Sequence, residues 1–340
     1  MNIPNNIPMP DGLSREEIVD VLLKEEYGYL PPEPIKVYAE EIEKEDKFCA
    51  GKAIRRKLEL YIETEQGKAS FPVYYTCPKS EEKVPAFVHI NFRPDVPDRY
   101  QPTEEIIDEG YAILSFCYKE VTDDEDEFES GISKVIYPEG RKNATDCGKL
   151  GLWAWAAMRV MDYALTLPEI DGEKISVVGH SRLGKTALLC GTMDDRFYCA
   201  ISNDSGAGGA SIARGNTGET VKDSFRRFGY WYNDNYKKYI ENEDNMPFDQ
   251  HWLIVANLNH KVYVASAEGD WWACPENEYL SCVLASKYFE DAGKIGFVHP
   301  DRFPETGELL HEGDIAYHIR KGLHYLSRED WSYFIKYLNR

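Results

Sequence analysis

The sequence predicts the α/β fold class, with a mostly parallel sheet between two layers of helices, and three observations support this prediction. From residue 84 onwards, short apolar, β-branched segments alternate with segments of helical periodicity. The links between these segments are short, which favours parallel strands joined by crossover helices. The segment 174–190 places a buried strand, a tight turn and an amphipathic helix in direct succession.

The N-terminal part of the chain lacks this alternation. Residues 1–35 predict a proline-rich arm and one helix, for which Ser14 is a suitable N-terminal cap. Residues 36–77 alternate between apolar and polar side chains, and the turn residues 65–68 predict a hairpin. We therefore expect antiparallel strands at the N-terminal side of the sheet.

The later segments predict the remaining elements and two loops. An acidic run at 123–129 lacks the spacing of a calcium-binding loop, so a solvated loop is expected there. The glycine-rich segment 205–211 lacks the ending of a phosphate-binding loop, which argues against nucleotide binding. The predicted strands lie at 84–90, 112–117, 175–178, 200–202, 261–266 and 295–299, and the predicted helices at 104–109, 150–167, 276–289 and 327–338.

Length and composition predict a single domain over residues 1–340. The chain is 43% hydrophobic, which is enough to bury a large core, and α/β sheets often exceed the usual domain length. Residues 205–258 are polar and aromatic. We expect them to form an insertion that shapes a substrate site.

The charge balance excludes two classes of partner. The chain has 39 Lys and Arg residues against 59 Asp and Glu residues, a net charge of −20. Such a surface repels nucleic acid and anionic membranes, so we expect neither as a partner. Any site for an anion must therefore be local.

The cysteines and the N-terminus bear on metals and on the compartment. The eight cysteines form neither C-x-x-C pairs nor zinc-like Cys/His clusters, so they do not indicate a zinc site. We also expect no cofactor. The N-terminus lacks a basic region followed by an apolar one, and no window approaches about 18 uninterrupted apolar residues. We expect a cytoplasmic protein with reduced thiols; the alternative is a secreted protein whose signal peptide has been removed.

The best candidate nucleophile is Ser181, at the apex of the turn Gly179-His-Ser-Arg-Leu-Gly184. A nucleophilic serine is held out on a sharp strand-to-helix turn, where backbone N–H groups face the developing oxyanion. Glycines flank such a turn because strand and helix approach closely. Leu183 takes the place of the second glycine of G-x-S-x-G, and a serine between glycines is also common in simple turns.

Chain order selects the partners of Ser181, because the acid and then the base follow the nucleophile in this type of sheet. Asp270 lies just after the strand that follows the expected insertion, with Glu268 as second choice. His324 stands directly before the closing helix, where a base is expected. The alternative for Asp270 is a polar turn that caps the strand, and His180 is expected to be a structural hydrogen-bonding residue.

Two cations near the serine have alternative explanations. Arg182 would aim at a tetrahedral oxyanion or form an ion pair with a carboxylate such as Asp204. Lys185 lies one helical turn beyond Ser181 and would reach a substrate hydroxyl or carboxylate. A lone lysine on a helix, however, is usually solvated.

Taken together, these residues resemble the bacterial glucuronoyl esterases, carbohydrate esterase family fifteen. The resemblance implies an α/β-hydrolase fold and no metal. It implies cleavage of esters between the carboxyl group of 4-O-methyl-glucuronate on xylan and the alcohols of lignin. The similarity covers residues 85–338 and lies in the segments Gly179–Lys185, Ser202–Gly209, Gly218–Val221, Phe248–Trp252, Ser266–Pro275, Gly322–His324 and Asp330–Trp331.

The resemblance also implies a role for each matching residue. Ser181 matches the nucleophile, His324 the base and Arg182 the arginine that stabilises the oxyanion. The residues that match the uronate-binding positions are Lys185 and Glu219, which would bind ring hydroxyls, and Trp272, which would pack beside the ring.

The chain departs from the family at the acid and beside the nucleophile. Many members carry a glutamate where this chain has Asp204, and others use an aspartate that matches Asp270. We rank Asp270 first and Asp204 second, and joint support of His324 by both is a further option. Many members have a cysteine at the position of His180 and are secreted. An intracellular enzyme would meet small uronoyl esters or oligosaccharides rather than lignin.

The predicted function is a serine carboxylic-ester hydrolase that acts on glucuronate esters through an acyl-enzyme on Ser181. One alternative is a carbohydrate deacetylase, such as an acetylxylan esterase, with the same triad. The other is a non-catalytic carbohydrate-binding protein on a hydrolase scaffold. Lys185, Glu219 and Trp272 favour a uronate, whereas a shallow acyl pocket would favour an acetyl group. A complete set of Ser181, His324 and Asp270 argues against binding alone.

Overall fold

The computed structural model describes residues 3, 4 and 6–340, and a ten-stranded mixed sheet is its central element. The strands are β1 Lys36–Phe48, β2 Ala53–Thr64, β3 Gly67–Pro78, β4 Val84–Asn91, β5 Ala112–Cys117, β6 Ile170–His180, β7 Cys199–Asn203, β8 Lys261–Ala267, β9 Leu309–Leu310 and β10 Ile315–Arg320. The helices are α1 Arg15–Leu22, α2 Thr103–Asp108, α3 Tyr118–Val121, α4 Gly131–Ile136, α5 Lys149–Ala164, α6 Arg182–Met193, α7 Val221–Phe228, α8 His251–Val255, α9 Pro275–Asp291 and α10 Arg328–Leu338.

The strand order is β1-β2-β3-β5-β4-β6-β7-β8-β10-β9. Strands β5, β4, β6, β7, β8 and β10 pair in parallel, while β1, β2 and β3 join the sheet through antiparallel pairs. The predicted fold class is therefore confirmed, including the antiparallel N-terminal strands. That residues 1–340 form a single domain stays a prediction.

Two apolar cores lie on opposite faces of the sheet, because successive side chains of a strand point to opposite sides. Phe87 of β4 and Val178 of β6 pack with Trp331 and Phe334 of α10 in the smaller core. Their neighbours in the same strands pack in the larger core with helices α5 and α6. The sheet is thus covered by helices on both faces, as three-layer folds require.

The N-terminal elements follow the sequence closely. Ser14 caps α1 through a capping box: its side chain accepts the N–H of Glu17, and the Glu17 side chain accepts the N–H of Ser14. The predicted hairpin is formed by β2 and β3, with Thr64 opposite Gly67. Among the described residues, no helix is both long and apolar enough to cross a membrane.

One predicted element is wrong. Residues 295–299 form no strand; Ile295 and Val298 are 60% and 48% exposed, so their apolar character does not reflect burial in the sheet. The last long strand is β10, which lies beyond the last predicted strand, and every residue of β10 is buried. His318 and Arg320 made β10 difficult to recognise, because their burial depends on partners elsewhere in the chain.

The parallel strands end at one edge of the sheet. Ser181 follows β6, Asp204 follows β7, Asp270 lies shortly after β8, and His324 lies shortly after β10. Since parallel strands share a direction, these four residues lie along the same carboxyl edge, where open α/β sheets place their sites.

Candidate active site

Ser181 occupies a strained turn between β6 and α6. Its φ and ψ are 58° and −129°, a conformation that costs a non-glycine residue free energy and that functional sites often retain. The Ser181 N–H donates to the carbonyl of Asn203 at 2.8 Å, which ties the turn to β7. A Cβ atom at Gly179 would lie 2.0 Å from the carbonyl oxygen of Leu183, so only glycine fits there.

Gly184 explains the departure from the usual elbow spacing. A Cβ atom there would lie 3.1 Å from the carbonyl oxygen of Asn203 and equally close to the side chain of Ser205. The close approach of α6 to β7 therefore falls one residue later than in G-x-S-x-G, and Leu183 is free to point into the core.

Asp270 and His324 form a direct hydrogen-bonded pair. The Nδ1–H of His324 donates to Oδ2 of Asp270 at 2.6 Å, and Asp270 is buried while His324 is exposed. This contact fixes the tautomer that leaves Nε2 free to accept a proton. Glu268, the second choice in the same segment, is not at the site: it accepts a hydrogen bond from Thr306 at 2.6 Å.

Ser181 and His324 make no hydrogen bond to each other in the part of the chain that the structure describes, where Nδ1 of His324 is bonded to Asp270. The two are connected through His180, whose ring centroid lies 4.5 Å from that of His324. Such pairs are often longer before substrate binds.

Asp204 lies beside this pair and has partners of its own. It is buried, with Oδ2 accepting from the Tyr325 N–H at 3.2 Å and from Arg320 at 3.3 Å. Burial, and then the nearby carboxyl groups of Glu278, Asp270 and Asp330, raise the pKa of Asp204 well above its usual range. The hydrogen bond of His324 Nδ1 goes to Asp270, so the geometry favours Asp270 as the acid.

Asp204, Asp270 and His324 also form the one group in the described residues whose ligand atoms are close enough for a metal ion, within 4.8 Å of one another. The Nδ1 atom of His324 is already occupied by Asp270, and the raised pKa of Asp204 favours its neutral form. The arrangement fits a hydrogen-bonded pair better than a set of metal ligands.

Arg182 forms an ion pair, but with Asp124 rather than with Asp204. Asp124 is buried and accepts hydrogen bonds from Tyr118 Oη at 3.0 Å and Trp231 Nε1 at 2.8 Å. The guanidinium carbon of Arg182 lies 4.6 Å from the ring centroid of Trp231. The expectation of a fully solvated acidic run at 123–129 is therefore wrong at Asp124, which holds Arg182 at the mouth of the site.

Lys185 and Glu219 form a buried ion pair. Lys185 Nζ donates to Oε2 of Glu219 at 2.9 Å and to the carbonyl of Ala207, which rules out the alternative of a solvated lysine. The Glu219 N–H donates to the carbonyl of Trp272 at 2.8 Å. These contacts join α6, the glycine-rich segment and the loop after β8, and the Trp272 side chain is exposed beside them.

Arg320 organises the loop that carries His324, although no pattern in the sequence pointed to this residue. Its guanidinium donates to the carbonyls of Lys321, Leu323 and Tyr325, which surround His324 in sequence. Its Nε–H donates to both oxygens of Asp330 in α10, at 2.9 and 2.7 Å. The buried arginine thus fixes the loop against the sheet and the last helix.

Glu278 of α9 lies behind the acid loop and is fully buried. It accepts from Ser266 Oγ at 2.6 Å and from the Gly206 N–H at 2.9 Å. Burial is the main cause that raises the pKa of Glu278 to about 7. Below neutral pH, Glu278 is therefore mainly protonated. In this form it links the glycine-rich segment to the end of β8.

The parallel sheet and the order of the residues along this edge are typical of the α/β-hydrolases. Comparisons with known proteins identify the family. A family model described as "Glucuronyl esterase, fungi" matches residues 60–293, well over half of the chain. The chain belongs to the glucuronoyl esterase family, carbohydrate esterase family 15.

Relatives and solved structures agree with this assignment. "Carbohydrate esterase MZ0003" from an unknown prokaryotic organism is 28% identical over 98% of this chain and 88% of that protein. The 4-O-methyl-glucuronoyl methylesterase of Podospora anserina is 27% identical over 83% of this chain, which spans only 56% of the fungal protein. A solved glucuronoyl esterase from Solibacter usitatus has a TM-score of 0.89 and 28% identity, covering 100% of this chain and 97% of its own.

Substitution Glu278→Gln tests whether burial raises the pKa of the Glu278 carboxyl group. Because the folded-state pKa of about 7 exceeds the ordinary value of 4.5, the native state binds more protons and the wild type loses stability as pH rises between these values. Glutamine removes this loss, which amounts to about 3 kcal/mol. Chemical denaturation at pH 5 and pH 8 should show a smaller decrease for the variant than for the wild type.

The matched control is Glu276→Gln, which changes an exposed glutamate on the same helix. Its stability should follow the wild-type pH dependence. If the stabilities of Glu278→Gln and the wild type changed in parallel with pH, Glu278 would not have the raised pKa.

Proposed function

We propose that this protein is a serine carboxylic-ester hydrolase that cleaves esters of glucuronate or 4-O-methyl-glucuronate through an acyl-enzyme on Ser181. One observation carries the proposal: the strained Ser181 lies directly before helix α6, and Lys185 of the same helix follows one turn later. Lys185 forms a buried ion pair with Glu219. A nucleophile and a polar site for a sugar acid are therefore held by the same helix. The substrates are small uronate esters or uronate-bearing oligosaccharides.

The first half of the reaction forms the acyl-enzyme. Ser181 Oγ attacks the ester carbonyl carbon while Nε2 of His324 takes the hydroxyl proton, and Asp270 stabilises the resulting imidazolium. The carbonyl oxygen becomes an oxyanion near the N–H groups at the start of α6 and near Arg182. The intermediate collapses, the ester C–O bond breaks, and His324 gives its proton to the departing alcohol.

The second half consumes one water. His324 accepts a proton from water, the hydroxide attacks the acyl carbon, and the second oxyanion forms at the same position. Its collapse breaks the bond to Ser181 Oγ, which recovers its proton from His324 and releases the free uronic acid.

Charge distinguishes the substrate from the product. The uronate is neutral as an ester but negative after hydrolysis, and the whole chain has a net charge of −20. Lys185 and Arg182 are each paired with a carboxylate, so neither presents an uncompensated positive charge to the product. This balance favours release of the acid over its retention.

The name of the Podospora anserina relative, 4-O-methyl-glucuronoyl methylesterase, supports a uronate as the acyl part. A deacetylase would need the same nucleophile and base but would have no use for a buried ion pair at the position of Lys185 and Glu219. Experiment can therefore distinguish a uronate ester from an acetyl ester as the substrate.

Substitution Ser181→Ala should reduce kcat for methyl glucuronate by at least about 1000-fold, because no other group would form the acyl-enzyme. The wild type should hydrolyse methyl glucuronate with a higher kcat/KM than acetylated xylose. Both rates are measured by titrating the released acid at constant pH. Unchanged turnover in the variant would disprove the serine mechanism, and a preference for the acetyl ester would favour the deacetylase.

Substitution Glu219→Gln should raise the KM for methyl glucuronate about tenfold with little change in kcat, because a ring hydroxyl loses a charged acceptor worth about 1.5 kcal/mol. Hydrolysis of a simple phenyl acetate, which has no sugar ring, serves as the control and should be unaffected. An equal loss on both esters would show that the Lys185–Glu219 pair is only structural.

A further inference from the structure

His180 connects the nucleophile to the base through a ring contact. It is the last residue of β6, directly before Ser181, and it is only 3% exposed. Its ring centroid lies 4.5 Å from that of His324, with an angle of 43° between the planes. The residue joined covalently to the nucleophile therefore packs against the ring of the base.

Three neighbours hold the His180 ring in place. Its Nδ1–H donates to Oδ1 of Asn203 at 2.6 Å. The ring centroids of Phe92 and Tyr100 lie 5.9 and 5.7 Å away. A buried ring with a hydrogen bond and two aromatic contacts has little rotamer freedom.

The base, in contrast, has few contacts of its own. The His324 side chain is 41% exposed, and its hydrogen bond to Asp270 leaves the ring free to swing about the axis of that bond. A second contact is needed to fix the direction of Nε2. The His180 ring, 4.5 Å from that of His324 between centroids, supplies that contact.

The charge state of His180 suits this position. Burial, followed by the proximity of His324, lowers the pKa of His180 to about 3. Its ring is therefore neutral when His324 becomes an imidazolium during each proton transfer. A cation at this distance would oppose that step.

We propose that His180 is a positioning residue whose buried ring holds the imidazole of His324 in the orientation that reaches Ser181. The inference rests on the proposed function, since it assigns His324 the role of base. The positioning role is assigned to the planar ring of His180 and not to its hydrogen bond with Asn203.

Two variants separate the ring from the hydrogen bond. His180→Phe keeps a planar ring and loses the bond to Asn203, while His180→Gln keeps a polar partner for Asn203 and loses the ring. With methyl glucuronate, His180→Gln should lower kcat about tenfold to a hundredfold with KM within about twofold of wild type. His180→Phe should keep kcat within about threefold of the wild-type value.

The matched control is His299→Gln. His299 also packs on an aromatic ring, that of Phe297 at 5.2 Å, but lies outside the site, so its kcat should be unchanged. Thermal unfolding of each variant shows whether it is folded at the assay temperature. If His180→Phe does not fold, His180→Gln decides alone: an unchanged kcat overturns the inference.

The outcomes also distinguish this inference from the proposed function. Equal losses of kcat in His180→Phe and His180→Gln would assign the role to the hydrogen bond and overturn the inference. If Ser181→Ala abolishes turnover while His180→Gln retains it, only the role of His180 fails. If Ser181→Ala retains turnover, the serine mechanism itself fails.

Discussion

The buried ion pair between Arg320 and Asp330 is the contact on which the catalytic edge depends. It joins the end of β10 to the first turn of α10, and the remaining N–H groups of Arg320 satisfy the carbonyls of the loop around His324. A buried guanidinium is stable only when nearly all its donors are used. The loop conformation and the burial of this charge therefore require each other.

The parallel sheet was predictable because its signals are local. Apolar strands, short links and the capping box at Ser14 each lie within a few residues, as does the close approach that requires Gly179. Strand β10 was missed because His318 and Arg320 interrupt its apolar pattern. Both are buried through Asp330, a partner that no local pattern reveals.

At the site, too, local signals could be predicted from the sequence, whereas contacts with distant residues could not. The positions of Ser181, Asp270 and His324 follow from chain order along parallel strands, and the structure brings Asp270 and His324 into direct contact. Their catalytic roles stay predictions. The partner of Arg182 is Asp124, 58 residues away, and its burial depends on the rings of Tyr118 and Trp231 folding over it. Such a contact is a property of tertiary packing and has no sequence pattern of its own.

Asn203 contacts two consecutive residues, one through its backbone and the other through its side chain. Its backbone carbonyl accepts the N–H of Ser181, and its side-chain oxygen accepts from His180. Both residues are therefore tied to one residue of the neighbouring strand, so the position of β7 sets the orientation of the His180 ring and of the Ser181 backbone together.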